Sequence, residues 1–495
     1  MLMEGFQLII NTPMSITWVA IGVAIGIVFG VVPGLTATMA IAIFLPITFR
    51  LSQVEAISTM VALYIGGMAG GLVPSILLNM PGTPASIATC FDGYPMALKG
   101  QADKALGAGI LFSFLGTLFS IAALVSVAPV LAGIAIRFGP HEYFAITFFS
   151  MSLIITLSSS SLRKGLMTGM AGIMLSMVGL DPIEASPRFV FGIPALRGGF
   201  NVLTVLVGLY AIVEVFNVCK NADDTSSAQV QDVSMKGFGI NFQEFKGQLG
   251  NFFRSALIGV GIGILPAIGG GTSNLVSYTM AKDQSKDPDS FGKGNLAGVV
   301  APETTNSANI GGSMVPLLSL GIPGDTATAM MLGGFMIHGI TPGPLIYRNH
   351  GDLLYAIFIL MVLASFMMLI MMVVGLKGFI KMLKIPKYYL MPAIIIMCAV
   401  GAFGLNNRIF DIGGMLFFGI VGLLITKLGF PLPPMVLGFI LGPILENNLR
   451  RGLTSSQGNF FEFFTRPISG TIIIFTLLFV AYSIFKIYRN QKTAA

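Results

Sequence analysis

Two short stretches carry residue types that could bind a solute. In the first, "GGLVPSILLNMPGTPASIATC", Asn79 precedes Pro81-Gly82, and Thr83, Ser86 and Thr89 follow. In the second, "GGSMVPLLSLGIPGDTATAMM", Pro323-Gly324 leads into Asp325, Thr326 and Thr328. A further polar run, "APETTNSANIGG", places Glu303, Asn306 and Asn309 ahead of that second break. Amides and hydroxyls at this density bind solutes by hydrogen bonding rather than by covalent chemistry. Proline removes a backbone donor and clashes with the preceding turn, and an unsatisfied backbone group in hydrocarbon costs several kcal/mol. A Pro-Gly break inside an apolar segment is therefore expected to line a cavity. Half-helix N-termini there would face an anion, and unwound carbonyls a cation.

The segments that hold these breaks are apolar. The chain of 495 residues is 54% hydrophobic and 10% charged, against about 25% charged in soluble domains. Runs near or above the roughly 20 residues of a membrane helix recur throughout, as at Met14 to Val32, Leu106 to Ile136, Leu353 to Leu376 and Ile468 to Ile484. They do not alternate with the period of two that a barrel strand requires. The expected fold is an all-α polytopic membrane protein with about 12 transmembrane helices. The N-terminus lacks a basic n-region, so the first span is expected to remain in the mature protein.

The landmarks occur twice in the same order. Pro316, Pro323 and Gly324 each stand 242 positions after Pro74, Pro81 and Gly82. Upstream, Gly259, Gly263 and Pro266 follow Gly26, Gly30 and Pro33 at a constant offset of 233. Downstream, Pro386 and Tyr389 pair with Pro140 and Tyr143. Two repeats with broken or re-entrant helices are expected, residues 1–218 and 253–495, joined by a polar stretch at 219–252. If each broken motif crosses the membrane once, inverted repeats gather Lys99, Lys104, Lys282, Lys286 and Lys293 on one side, against Arg50 and Arg348 on the other. That bias favours inversion. The basic tail, with Lys486, Arg489 and Lys492, is expected on the cytoplasmic side.

Lys and Arg are absent between Arg50 and Lys99 and between Lys293 and Arg348. An anion would then be held by backbone N–H groups and neutral donors, and a bound cation could supply positive charge. The candidate substrate residues are Asn79, Gly82, Thr83, Ser86, Asn306, Asn309, Gly324, Asp325, Thr326 and Thr328. The candidate ion-coupling residues are Glu303, Asn306 and Asp325.

Other classes find little support. No basic stripe interleaves with aromatics for nucleic acid, and the net charge of +7 suits basic loop edges. "IGGGTSN" at Ile268 to Asn274 lacks the lysine of a phosphate loop, and "FGKGN" reads as a plain loop. Cys90, Cys219 and Cys398 have no disulfide or zinc spacing. His141, His338 and His350 are far apart and fit no metal or catalytic pattern. No cofactor or resident metal is expected beyond a transported sodium ion, or a proton in its place.

The blocks "GVVPGLTATMA", "ILLNMPGTPASIATCFDGYPMALKG", "FGPHEYFA", "VGLDPIEASPRFVFG" and "APETTNSANIGGSMVPLLSLGIPGD" resemble the large membrane subunit of tripartite tricarboxylate transporters, nearly from end to end. That resemblance implies a small membrane subunit and a periplasmic solute-binding protein as partners. It implies import of carboxylates such as citrate across the bacterial inner membrane, driven by an ion gradient. A stand-alone anion permease and a passive anion channel remain the alternatives; a channel would want a ring of like charges, which is not seen.

Overall fold

The computed structural model describes residues 2–493 apart from 33–34, 158–161, 182, 214, 217–237, 266–268, 383–386 and 407. Pro33, Pro266, Pro386, Cys219 and most of the polar stretch between the repeats thus lie outside the described residues.

The chain is almost wholly helical and forms two compact units. One comprises residues 1–132 and 210–405, the other 133–209 and 406–495. Each draws a segment from either side of the sequence midpoint.

In chain order, the first unit begins with α1 (Leu2–Asn11), α2 (Met14–Val31), α3 (Ala37–Thr48), α4 (Gln53–Gly70), α5 (Leu72–Leu78), α6 (Ile87–Leu98) and α7 (Ala102–Ala135), whose last turn passes into the second unit. The second unit then holds α8 (Pro140–Leu157) and α9 (Leu162–Ser176). The chain returns to the first unit for α10 (Phe242–Ile264), α11 (Gly269–Asp283), α12 (Ala297–Leu320), α13 (Thr326–Ile337), α14 (Gly351–Met382) and α15 (Lys387–Asn406). It ends in the second with α16 (Ile409–Lys427), α17 (Leu432–Ser455) and α18 (Pro467–Thr493).

Among the described residues, five helical stretches are long and apolar enough to cross a membrane: α2, α4 with α5, α7, α14 and α16. Shorter apolar helices include α3 and α13. They fall below spanning length because the chain stops and restarts beside them. The four apolar runs singled out in the sequence fall in α2, α7, α14 and α18.

Glycine packing positions the broken segments. Where the driving force of burial from water is missing, helices associate by close backbone approach over small residues. A methyl group on Gly30 of α2 would lie 2.8 Å from the Gly70 Cα of α4, and one on Gly263 of α10 would lie 2.9 Å from the Gly312 Cα of α12. Gly26 packs over the Leu63 carbonyl as Gly259 packs over that of Thr305. Both pairs obey the offsets of 233 and 242. The sequence repeat is therefore a repeat of helix packing.

In the second unit, β1 (Gly179–Leu180) and β2 (Pro187–Arg188) form a small antiparallel pair. The buried Asp181 carboxylate accepts from the Ile183 and Glu184 N–H groups and from Arg188 and Arg450. Burial alone would raise its pKa, but those hydrogen bonds and the two guanidinium charges hold the carboxyl well below the usual range.

Candidate functional site

Both interruptions use one backbone device. α5 ends at Asn79, whose left-handed backbone (φ 55°) turns the chain so that its own N–H and that of Met80 reach the Pro74 carbonyl. α12 ends at Gly321 (φ 73°), and the N–H groups of Gly321 and Ile322 reach the Pro316 carbonyl. Each return bond at the second of these positions is 3.3 Å. Asn and Gly are the residues that take this C-terminal conformation at low cost. The following Pro-Gly is imposed by contact. A methyl group on Gly82 would sit 2.8 Å from the Gly71 Cα, and one on Gly324 would sit 2.6 Å from the Ser313 Cα.

The helices restart differently. After the first break, Thr83 leads into a 3-10 turn, Pro84–Ser86, and then α6. Thr83 Oγ1 and Ser86 Oγ lie 2.9 Å apart, so the two hydroxyls share one face as their spacing suggested. Asn79 and Pro81 are exposed, while Gly82, Thr83 and Ser86 are buried. After the second break, Asp325 caps α13: its Oδ1 accepts from the Thr328 N–H and hydroxyl, each at 2.8 Å, and its own N–H donates to Thr328 Oγ1. Residues 321–325 are all buried.

Asp325 is also tied to other helices. Its Oδ2 accepts from the Tyr64 hydroxyl of α4 and from Asn309 Nδ2 of α12, the latter at 3.4 Å. Tyr64 lies 3.2 Å from Ser313 Oγ. Thr326 Oγ1 stands 3.1 Å from Thr38 Oγ1, in the first turn of α3, so two helix N-termini meet through their hydroxyls.

Asn306, one turn before Asn309, donates from Nδ2 to the Met68 carbonyl at 3.1 Å. Near it, the position of a methyl on Gly270 is 3.1 Å from Ala85 Cβ and 3.7 Å from Asn306 Oδ1. Asn274 Nδ2 donates to the Ala85 carbonyl. Asn306 thus bonds α4 and lies near the start of α11, which in turn meets Ala85 just ahead of α6, while Asn309 reaches the α13 start.

Two candidates stand apart. Asn79 is accounted for by its backbone at the exposed end of α5. Glu303, fully buried, is held by hydroxyl donors from Thr89 of α6 and Ser113 of α7 rather than by the Asp325 cluster. The "FGKGN" loop is fastened by Asp92 of α6. One carboxylate oxygen accepts from the N–H groups of Gly292, Gly294 and Asn295 at 2.7–2.9 Å, the other from the Tyr278 hydroxyl at 2.8 Å.

Sequence reasoning missed Tyr64, Ser313, Thr38 and Asn274. Tyr64 could have been found, since it stands 242 positions before Asn306 in the repeat register. Asn274 lay in a segment weighed only for phosphate.

The site can make neutral and acidic oxygen contacts and helix-start N–H contacts. Among the described residues no three His, Cys, Asp or Glu side chains gather to hold a metal ion. Interrupted apolar helices whose ends meet amides and hydroxyls are the architecture of membrane transport proteins. The family match makes this specific: residues 16–437 match the tripartite tricarboxylate transporter TctA family, and the chain belongs to that family.

Over 488 residues it is 34% identical to an uncharacterized 52.8 kDa protein of the TAR-I ttuC′ 3′ region of Agrobacterium vitis, covering 99% of this chain and 96% of that one. A protein of the TAR-II ttuC′ 3′ region of the same organism is 35% identical over 231 residues, covering 47% of this chain and 96% of that one. No solved structure matches. Family membership makes the chain a multi-pass membrane component of a tricarboxylate transporter and points to transport rather than enzymatic catalysis.

Proposed function

We propose that the chain is the large membrane subunit of a binding-protein-dependent secondary transporter that imports carboxylates, citrate or a related organic anion, with an ion gradient. Sodium is the preferred coupling ion, with the proton as the alternative. A small membrane subunit and a periplasmic solute-binding protein complete the system in the bacterial inner membrane, and the C-terminus is cytoplasmic. Residues 1–218 and 253–495 are two inverted repeats contributing about 12 crossings, with residues 219–252 as their link.

The observation that carries this reading is the matched pair of interruptions. Each ends one helix in a left-handed cap and starts the next among hydroxyls and amides, with no Lys or Arg in either stretch. Helix starts offer free N–H groups and a positive dipole end to a carboxylate. The substrate residues are Asn79, Gly82, Thr83, Ser86, Asn306, Asn309, Gly324, Asp325, Thr326 and Thr328. Glu303, Asn306 and Asp325 couple the ion.

The test is reconstitution of the chain with its two partners in vesicles and measurement of labelled carboxylate. Accumulation above the external concentration is expected, lost when choline replaces sodium at fixed pH. Equilibration without accumulation would mean a channel. Uptake unchanged by omitting the binding protein would mean a stand-alone permease.

A further inference from the structure

We propose that the amide oxygens of Asn274, Asn306 and Asn309 form a site for an alkali cation, sodium, so that Asn306 and Asn309 serve the carboxylate through the bound ion rather than by touching it. The assignment rests on the ion-coupled reading above and gives it a location. In all three side chains the amide nitrogen is committed: Asn274 to the Ala85 carbonyl, Asn306 to the Met68 carbonyl, Asn309 to the Asp325 carboxylate. Those partners accept only, so each must face an N–H, and the orientation of all three amides is fixed.

Each Oδ1 is then a buried acceptor without a hydrogen-bond donor, on a side chain no more than 1% exposed. Native interiors rarely tolerate this, and the three stand on one packed helix pair, α11 and α12, where an electropositive guest would satisfy them. An N–H or O–H donor would serve any one of them, but a carboxylate would be repelled by all three.

The surroundings fit a cation. Asn309 Oδ1 lies against Gly263 near the C-terminal end of α10, and Asn306 Oδ1 lies near Gly270 at the start of α11. Asn274 is one turn further along α11. Glycine at 263 and 270 leaves the amide oxygens uncovered. Asn306 and Asn309 are three residues apart in α12 and share a face. The C-terminal end of α10, beside Asn309 Oδ1, is the negative pole of that helix's dipole. All-oxygen ligation suits a hard cation. One carboxylate, Asp325, touches the cluster, and no Lys or Arg lies between Lys293 and Arg348 to compete. That balance matches a single positive charge.

The repeat supplies an internal control. Positions 64 and 67, equivalent to 306 and 309, are Tyr64 and Gly67, and position 41, equivalent to 274, is Ile41. The first half therefore has no amides at the counterpart positions.

The experiment is binding of radioactive sodium to the full chain in phospholipid nanodiscs, without carboxylate or partners, with potassium and choline as competitors. Saturable binding is expected. Asn274→Leu and Asn309→Leu should each raise the half-saturating sodium concentration about tenfold or more, the effect of losing one good ligand. Asn459→Ala, in an exposed loop of the second unit, should leave it unchanged.

If a leucine variant does not yield a monodisperse protein, Asn→Ser at the same position, which keeps a shorter oxygen ligand, should raise the concentration by a smaller factor. Saturable binding that both leucine variants leave unaltered would overturn the assignment. So would absence of saturable sodium binding in the native chain, even if the assembled system accumulates carboxylate with protons. Weakened binding in the variants without any carboxylate accumulation would instead retain this site and remove the transporter reading.

Discussion

The two interruptions share a backbone and differ in what surrounds them. In the first, Asn79 and Pro81 are exposed, the Thr83 and Ser86 hydroxyls pair with each other, and Asn274 of α11 reaches the restart at the Ala85 carbonyl. In the second, residues 321–325 are buried, and Asp325 ties α13 to α4 and α12. The same chain reversal thus begins at an open, exposed end held by one neighbouring amide in the first case and at a buried end cross-linked through a carboxylate in the second. The geometry of each break is constrained by Pro and Gly, whereas its access and charge are set by the side chains one turn away.

The sharpest way to break this comparison is to add a methyl group where both copies need none. Gly82→Ala and Gly324→Ala each force backbone apart, an overpacking cost of about 1–3 kcal/mol or more. Thermal unfolding of the purified variants should show both strongly destabilised. A tolerated Gly82→Ala would mean the first break is not held by its close approach to Gly71.

A smaller and asymmetric effect is expected from the restarts. Asp325→Ala removes an N-cap and should cost about 0.5–2 kcal/mol, together with most transport. Asp325→Asn keeps the cap and should recover stability without recovering transport. Thr83→Ala should cost less stability than Asp325→Ala, because its hydroxyl meets one neighbour rather than several. Equal losses in the same unfolding assay would erase the distinction between open and cross-linked ends.

The smallest effect concerns the left-handed caps. Asn79→Gly should change stability by a few tenths of a kcal/mol at most, while Gly321→Ala, at positive φ and against the Pro342 carbonyl, should cost about 1 kcal/mol or more. A large loss in Asn79→Gly would mean that the Asn79 amide, not its backbone, matters at the exposed end.

How much of this was legible follows from the range of each signal. Pro81-Gly82 and Pro323-Gly324 were readable because proline and glycine act on their own backbone, and the landmarks Gly30 and Gly263, read only as marks of a repeat, sit at matching helix contacts. The apolar runs of α2, α7, α14 and α18 were readable because length and composition are local. Tyr64 was marked only by the repeat register that pairs it with Asn306, since nothing local in an apolar run hints at an acid 261 residues away. The capping role of Asp325 was not readable, because only the turn that follows it reveals it. The division into two units, each assembled from both halves of the chain, depends on contacts between distant segments and leaves no mark on any single stretch.

The Asp92 clasp constrains how the first unit can deform. Three amides of one turn and a tyrosine hydroxyl converge on a single side chain, so sliding α6 past the entry of α12 would rupture three bonds together, and past Tyr278 of α11 a fourth. Any working stroke is therefore expected to carry that corner as one piece, like a buckled strap, and to find its slack elsewhere in the helical frame.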